Sequence, residues 1–163
     1  ATFCRLPLLA AMPPPAKCDI AVLGVPWDAG VSYRNGARFG PSAIREASRL
    51  YRPYNIQLAT STFKDVQICD AGDVPCTPYN IEQAVQEIYD FCTQTIQQSK
   101  CIAIMGGDHT LSYPVIKSVV NNLNDGQPVA LIHFDAHLDT YPAVYGADVW
   151  HGSPFRKCFE DKL

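Results

Sequence analysis

Apolar positions along this chain follow two alternating patterns. The first is the short unbroken run. Asp19-Ile20-Ala21-Val22-Leu23-Gly24-Val25, closed by Pro26, predicts a buried strand, as do Cys101-Ile102-Ala103-Ile104-Met105 and Val129-Ala130-Leu131-Ile132-His133-Phe134. Val66-Gln67-Ile68-Cys69-Asp70 is a weaker strand, stopped by Ala71-Gly72-Asp73. The second is spacing by three or four. Ile81, Val85, Ile88, Cys92 and Ile96 form one stripe of a helix from Ile81 to about Gln98, with Asn80 as its N-cap and Gln83 placed for a capping box. Pro41 to Leu50 reads as a helix with Pro41 in its first turn, and a further helix runs through Val115, Ile116, Val119 and Val120. Asp125-Gly126 marks a turn, and a loop rich in Gly and Arg joins Trp27 to Gly40.

Continuous apolar strands alternating with helices predict an α/β fold, a mostly parallel sheet covered on both faces. Ligands of such sheets bind beyond the carboxyl ends of the strands. Both clusters of titratable residues fall at that end, His109 after one strand and Asp135 onward after the next.

Composition narrows the function. With 163 residues, 47% hydrophobic and 18% charged, the chain has material for a core in one domain and is not a disordered polymer. A net charge of −3 without a basic stripe argues against nucleic acid as a partner. No apolar run approaches the roughly 18 residues of a membrane span. The stretch from Leu6 to Met12 follows Arg5 but contains Pro7 and leads into three prolines, a poor signal peptide. The seven cysteines are irregularly spaced, with no C-x-x-C pair. Reduced thiols in an intracellular protein are the expectation, with a disulfide framework or a zinc site as alternatives.

All four histidines lie between positions 109 and 151. In an extended segment Asp135, His137 and Asp139 share one side. Three such groups at the end of a buried strand need a counter-charge, which a divalent cation supplies. His109 adds a fourth candidate ligand through the Gly106-Gly107 turn. His133 shares the face of Asp135 by alternation, but reads mainly as structural.

Two of these segments, Gly106-Gly107-Asp108-His109-Thr110 and Phe134-Asp135-Ala136-His137-Leu138-Asp139, resemble the metal motifs of the ureohydrolase (arginase/agmatinase) family. Ser32-Tyr33-Arg34-Asn35-Gly36-Ala37-Arg38-Phe39-Gly40-Pro41 resembles a loop of its agmatinase-like branch, Thr2 to Pro7 that branch's N-terminal segment, and His151-Gly152-Ser153-Pro154-Phe155-Arg156 the segment after the second metal motif. The resemblance implies a three-layer α/β/α domain with a mostly parallel sheet, of which residues 1–163 form the N-terminal part. It implies two Mn2+ ions, with Ni2+, Co2+ or Zn2+ as alternatives by ligand chemistry. His109 and Asp139 would hold the first, His137 the second, and Asp135 both. His151 matches a proton-shuttling histidine near the substrate; its bland alternative is a loop residue beside Trp150. Arg34 and Asn35 are carried over as substrate-binding candidates. The implied activity is hydrolysis of a guanidino compound, agmatine first, to urea and an amine. Guanidinobutyrate, guanidinopropionate and free guanidine remain open, as does a non-catalytic truncated homologue. The resemblance further implies a homo-oligomer, trimer or hexamer, in the cytoplasm or mitochondria.

The ligand set is incomplete. The second ion would receive only Asp135 and His137, and the later aspartates of the family motif are not among these residues, so a fragment or truncated form is expected. Asn35, Trp27 and Leu138 depart from residues common in agmatinases. The aromatic stretch from Tyr141 to Trp150 suits cation–π contact with a guanidinium or ordinary loop packing equally well.

Overall fold

The computed structural model describes residues 1–12, 17–61, 63–123, 127 and 129–163. In chain order its elements are β1 (Cys18–Val25), α1 (Gly40–Ser48), β2 (Tyr54–Asn55), β3 (Thr60–Ser61), β4 (Ile68–Asp73), α2 (Ile81–Ile96), β5 (Ser99–Gly106), α3 (Ser112–Leu123) and α4 (Pro154–Glu160). Single 3-10 turns sit at Phe3–Arg5, Leu9–Ala11, Ala37–Phe39 and His109–Leu111.

The main sheet is parallel, in the order β4-β1-β5, and β1 is its centre. Strand alternation sends Leu23 and Val25 to one face, where they meet Trp27, Val74, Ala84, Ile88, Cys92 and Leu111 in the largest core cluster. Val22 faces the other way, with Leu6 and Met105. Gly24 also lies on that side, under α1: a Cβ there would meet Pro41 Cβ at 2.7 Å. Helices therefore cover both faces of the sheet, the three-layer arrangement expected.

One buried ion pair ties α1 to β4. Arg45 donates from Nε to Asp70 Oδ2 and from Nη2 to Asp70 Oδ1, each at 2.9 Å, and also pairs with Asp73. Asp70 accepts the backbone amides of Phe3 and Gly72 as well, so its charge is fully partnered in the interior.

α2 begins as predicted. Asn80 accepts the amide of Gln83 at 3.0 Å. The capping box is not completed, because the Gln83 side chain reaches forward to Glu87 instead, at 2.8 Å. The buried stripe runs through Ala84, Ile88, Cys92, Thr95 and Ile96, rotated slightly from the predicted one, with Val85 at its margin.

Three expectations need correction. β5 is not buried along its length: Cys101 and Ala103 are exposed, because no strand among the described residues pairs with its outer edge. Residues 129–134 are not a paired strand either. Leu131, Ile132 and Phe134 are 55%, 79% and 94% exposed. A continuous apolar run settles into a ladder only when strands flank it and a layer covers it, and none of the described residues does so. The Asp125-Gly126 turn lies outside the described residues. Finally, Cys18 and Cys69 face each other on neighbouring strands, Cα atoms 6.5 Å apart, and are joined as a disulfide, so free thiols are not universal. The antiparallel β2–β3 pairing had no predicted counterpart.

Candidate metal centre

The site is built at the carboxyl ends of β1 and β5. After β5 the chain must turn tightly against β1, and Gly107 makes that possible. Its amide donates to Val25 O at 3.1 Å, and a side chain there would collide with the carbonyl oxygens of Val25 and Trp27. Asp108 follows and is buried. Its Oδ1 accepts the amide of Thr110 at 2.8 Å, capping the turn that carries His109, and its Oδ2 accepts the amide of Gly30 at 2.8 Å. One carboxylate thus locks the His109 turn to the loop after β1. Burial pushes the Asp108 carboxyl above its ordinary value, against the lowering effect of these hydrogen bonds.

His109 Nδ1 lies 2.6 Å from Asp139 Oδ2 and 3.8 Å from Asp135 Oδ2. Asp139 is nearly buried and has φ +49°, a left-handed conformation that Asp tolerates better than most residues. Its carbonyl accepts the amide of Phe155 at 3.2 Å, joining the site to α4. His133 Nε2 lies 3.5 Å from Asp135 Oδ2. Donor atoms of His109, His133, Asp135 and Asp139 all fall within 4.8 Å of one another, a group that could hold a metal ion.

His137 stands apart from this group, with a side chain 69% exposed. The predicted alternation breaks because Asp135 Oδ1 accepts the amide of His137 at 3.0 Å, a local turn that curls the segment. The His137 ring still lies beside the same carboxylate, Nδ1 3.6 Å from Oδ1. That amide is the main reason the Asp135 carboxyl sits below its ordinary value; the nearby His109 and His133 rings add to the effect.

His151 is tied to the loop after β1. Its amide donates to Gly30 O at 3.1 Å, its Nε2 lies 3.0 Å from Ser32 Oγ, and its ring meets Trp150 edge-on at 4.9 Å. A cleft of about 290 Å³ lined by Gly106, Gly107, Asp108, His109, Leu111 and Asp135 opens over the metal-ligand candidates. A second, of about 340 Å³, lies on the Gly30 side among Trp27, Tyr79, Tyr145 and Trp150, with no charged side chain in its lining.

The two loop candidates are placed differently. Asn35 donates to Asp28 O at 3.2 Å and to Asp28 Oδ1 at 3.3 Å, so its amide staples the loop. Arg34 lies 5.1 Å over the exposed ring of Tyr33. Neither is gathered with the His and Asp cluster. Two residues near the site carry no functional role in the sequence reading: Asp108, inside the Gly-Gly-Asp-His motif, which the structure shows locking the His109 turn, and His133, read as structural, whose phase matches Asp135 and whose ring lies in the same group.

The residues 18–163 match the model of the arginase family. The chain belongs to the arginase family. Among its relatives within that family it is 38% identical to proclavaminate amidinohydrolase of Streptomyces clavuligerus, over 99% of this chain and 50% of the relative. It is 39% identical to the mitochondrial agmatinase of Gallus gallus, over 89% and 42%, and 34% identical to the guanidinobutyrase of Pseudomonas aeruginosa, over 100% and 50%. The chain therefore spans about half the length of the relatives it matches. The solved proclavaminate amidinohydrolase superposes with a TM-score of 0.88, over 99% of this chain and 52% of that one. A Trypanosoma cruzi formiminoglutamase solved with Mn2+ superposes with a TM-score of 0.75 at 26% identity, over 95% and 53%. The fold is thus arginase-like, with the parallel sheet and flanking helices expected. No described helix is long and apolar enough to cross a membrane.

Proposed function

We propose that this chain contributes one part of the active site of a metal-dependent hydrolase that releases urea from a guanidino compound, leaving an amine. The observation that carries the reading is the Asp135 carboxylate, whose Oδ2 faces His109 and His133 and whose Oδ1 faces His137. A carboxylate with imidazoles near both oxygens would suit a site of more than one cation. The donor set fits: oxygen and imidazole nitrogen without thiolate suit Mn2+, and Ni2+, Co2+ or Zn2+ remain compatible. The Mn2+ in the formiminoglutamase structure supports manganese.

His109, Asp135 and Asp139 would hold one ion, and His137 with Asp135 would begin the second site. Divalent ions there supply Lewis acidity and lower the pKa of water, which a resonance-stabilised, cationic guanidinium carbon requires of its attacking group. The protein residues do the rest. Asp108 fixes the His109 turn against Gly30. His151, held by Ser32 and Gly30, would pass a proton to the departing amine, a role that suits the imidazole side chain.

Agmatine is the reference substrate. Guanidinobutyrate, guanidinopropionate and guanidine are the competing ones, because relatives at 34–39% identity bear different substrate names. Arg34 and Asn35 are retained as loop residues to be tested for substrate contact. The family reading also carries a homo-oligomer, and a cytoplasmic or mitochondrial location. The test is a urea-release screen of the full-length gene product across these guanidino compounds, with metal content measured on the same sample. Release from at least one supports the reading. Metal-loaded protein that releases urea from none favours a non-catalytic homologue.

A further inference from the structure

We propose that Arg156 is a positioning residue: it fixes the segment from Tyr141 to Trp150 as one wall of the cleft on the Gly30 side, where the tail of a guanidino substrate would lie; this rests on the functional reading above. The segment is a short hairpin that turns sharply. Val144 and Ala147 exchange both backbone hydrogen bonds, at 3.1 and 2.9 Å, around Tyr145 and Gly146, which have φ of +50° and +81°. Positive φ at both central residues marks the mirror-image turn that closes two-residue hairpins. An aromatic residue rarely adopts that conformation, so the turn needs support from outside itself. Val144, Tyr145, Ala147, Val149 and Trp150 all line the cleft of about 340 Å³.

The support comes from α4. The Arg156 guanidinium donates from Nε to Tyr141 O at 2.8 Å and from Nη2 to Asp148 O at 2.7 Å. One planar fork thus closes both ends of the hairpin. Nη2 also meets Asp148 Oδ1 at 2.6 Å, and Nη1 pairs with Glu160 one turn along α4. The Arg156 side chain is only 21% exposed, unlike the solvated partner of an ordinary surface ion pair. Trp150 is anchored at the same base: its Nε1 donates to Pro142 O at 3.1 Å and its amide to Ser153 Oγ at 3.0 Å. His151 is held separately, by Gly30 and Ser32 of the loop after β1. The clamp therefore sets the cleft wall and leaves the proton-transfer candidate in place. Lysine is no substitute here. Its ammonium is a point charge, whereas two backbone carbonyls on separate nitrogens require the fork.

The experiment uses the full-length gene product loaded with Mn2+ and a guanidino compound that it hydrolyses. Arg156→Gln and Arg156→Lys should both raise KM by roughly 10- to 100-fold, with kcat and metal content near the wild-type values. Hydrogen–deuterium exchange read by mass spectrometry should be faster across residues 141–150 in both variants. Asp148→Asn keeps the carbonyl and removes the ion pair, so its KM should stay near wild type. Arg156→Lys guards against a variant that fails to fold, because it retains the charge. Wild-type KM and exchange in Arg156→Lys would make Arg156 an ordinary charge partner and overturn the proposal. So would a lowered Tm with KM unchanged, or a rise in KM in Asp148→Asn equal to that of Arg156→Lys. Each of these, with urea still released by the wild-type protein, sinks only the present inference. A metal-loaded wild-type protein that releases urea from no guanidino compound sinks the functional reading, and this inference with it.

Discussion

At the scale of single residues the site turns on which atoms share one carboxylate. Asp135 has neighbours on both oxygens, and His109 reaches both Asp135 and Asp139. His109→Ala, Asp135→Asn and His137→Ala should each lower metal occupancy of the full-length protein by elemental analysis. Full occupancy in all three would remove the centre. His151 is placed outside this cluster, so its substitution should leave metal content alone. His151→Asn should lower kcat by on the order of 10²- to 10⁴-fold, the usual cost of losing a proton-transfer group. Added imidazole should restore part of the rate, since a small base can carry a proton but cannot repair a metal site. If the ring only packs on Trp150, the variant will instead lose thermal stability and keep its kcat and pH profile.

At the scale of elements, the loop after β1 is held by one charge. Asp28 is fully buried and accepts the amides of Gly36 and Arg38 together with the Arg38 guanidinium. Burial alone would raise its carboxyl, but Arg38 and the two amides outweigh burial and bring it down to about 2. The folded value lies below the unfolded value of about 4, so the stabilisation is present above about pH 4 and fades as pH falls through the folded value. Arg38 is partly exposed, which screens the pair, so the contribution is on the order of 1–2 kcal/mol. Urea denaturation of wild type and Asp28→Asn at pH 6 and pH 3 should show the gap between them narrowing by about half that amount, because pH 3 still lies above the folded value; a constant gap would assign the loop's stability to packing. At the start of α2, Asn80→Ala should cost about 1 kcal/mol by the same measurement, because it frees the Gln83 amide.

The elements also show what the sequence could and could not reveal. β1, α1, β4, α2 and α3 were legible because their apolar periodicity is satisfied by immediate neighbours. His109 was legible because the end of β5 leads into it, and Asp135 because a continuous apolar run precedes it. That the His137 ring stands outside the His109–Asp139 group has a reason that spacing does not contain: the carboxylate of Asp135 accepts the amide of His137 and curls the segment. The buried Arg45–Asp70–Asp73 network was invisible for a similar reason. Its partners are 25 and 28 residues apart, and only the folded sheet brings them together.

At the scale of the whole molecule, one continuous apolar run is left uncovered. Leu131, Ile132, Phe134 and Leu138 are all more than half exposed, and the outer edge of β5 is unpaired among the described residues. An exposed strand edge and an uncovered apolar run are each a template for association. The run also leads directly into Asp135, so whatever pairs with residues 129–134 also holds the metal-binding carboxylate in register. Burial of that surface and completion of the centre are therefore expected to be one event. Expressed alone, residues 1–163 should self-associate, bind Mn2+ more weakly than the full-length gene product, and release no urea. Light scattering, chelator competition and a urea assay on both proteins check the three parts. A Leu131→Lys, Ile132→Lys double variant should reduce the association of the isolated segment, because charge on the exposed run opposes edge pairing, and should not restore activity. A monodisperse segment that binds metal as tightly as the full chain would separate the two events, placing the whole centre within the residues described here.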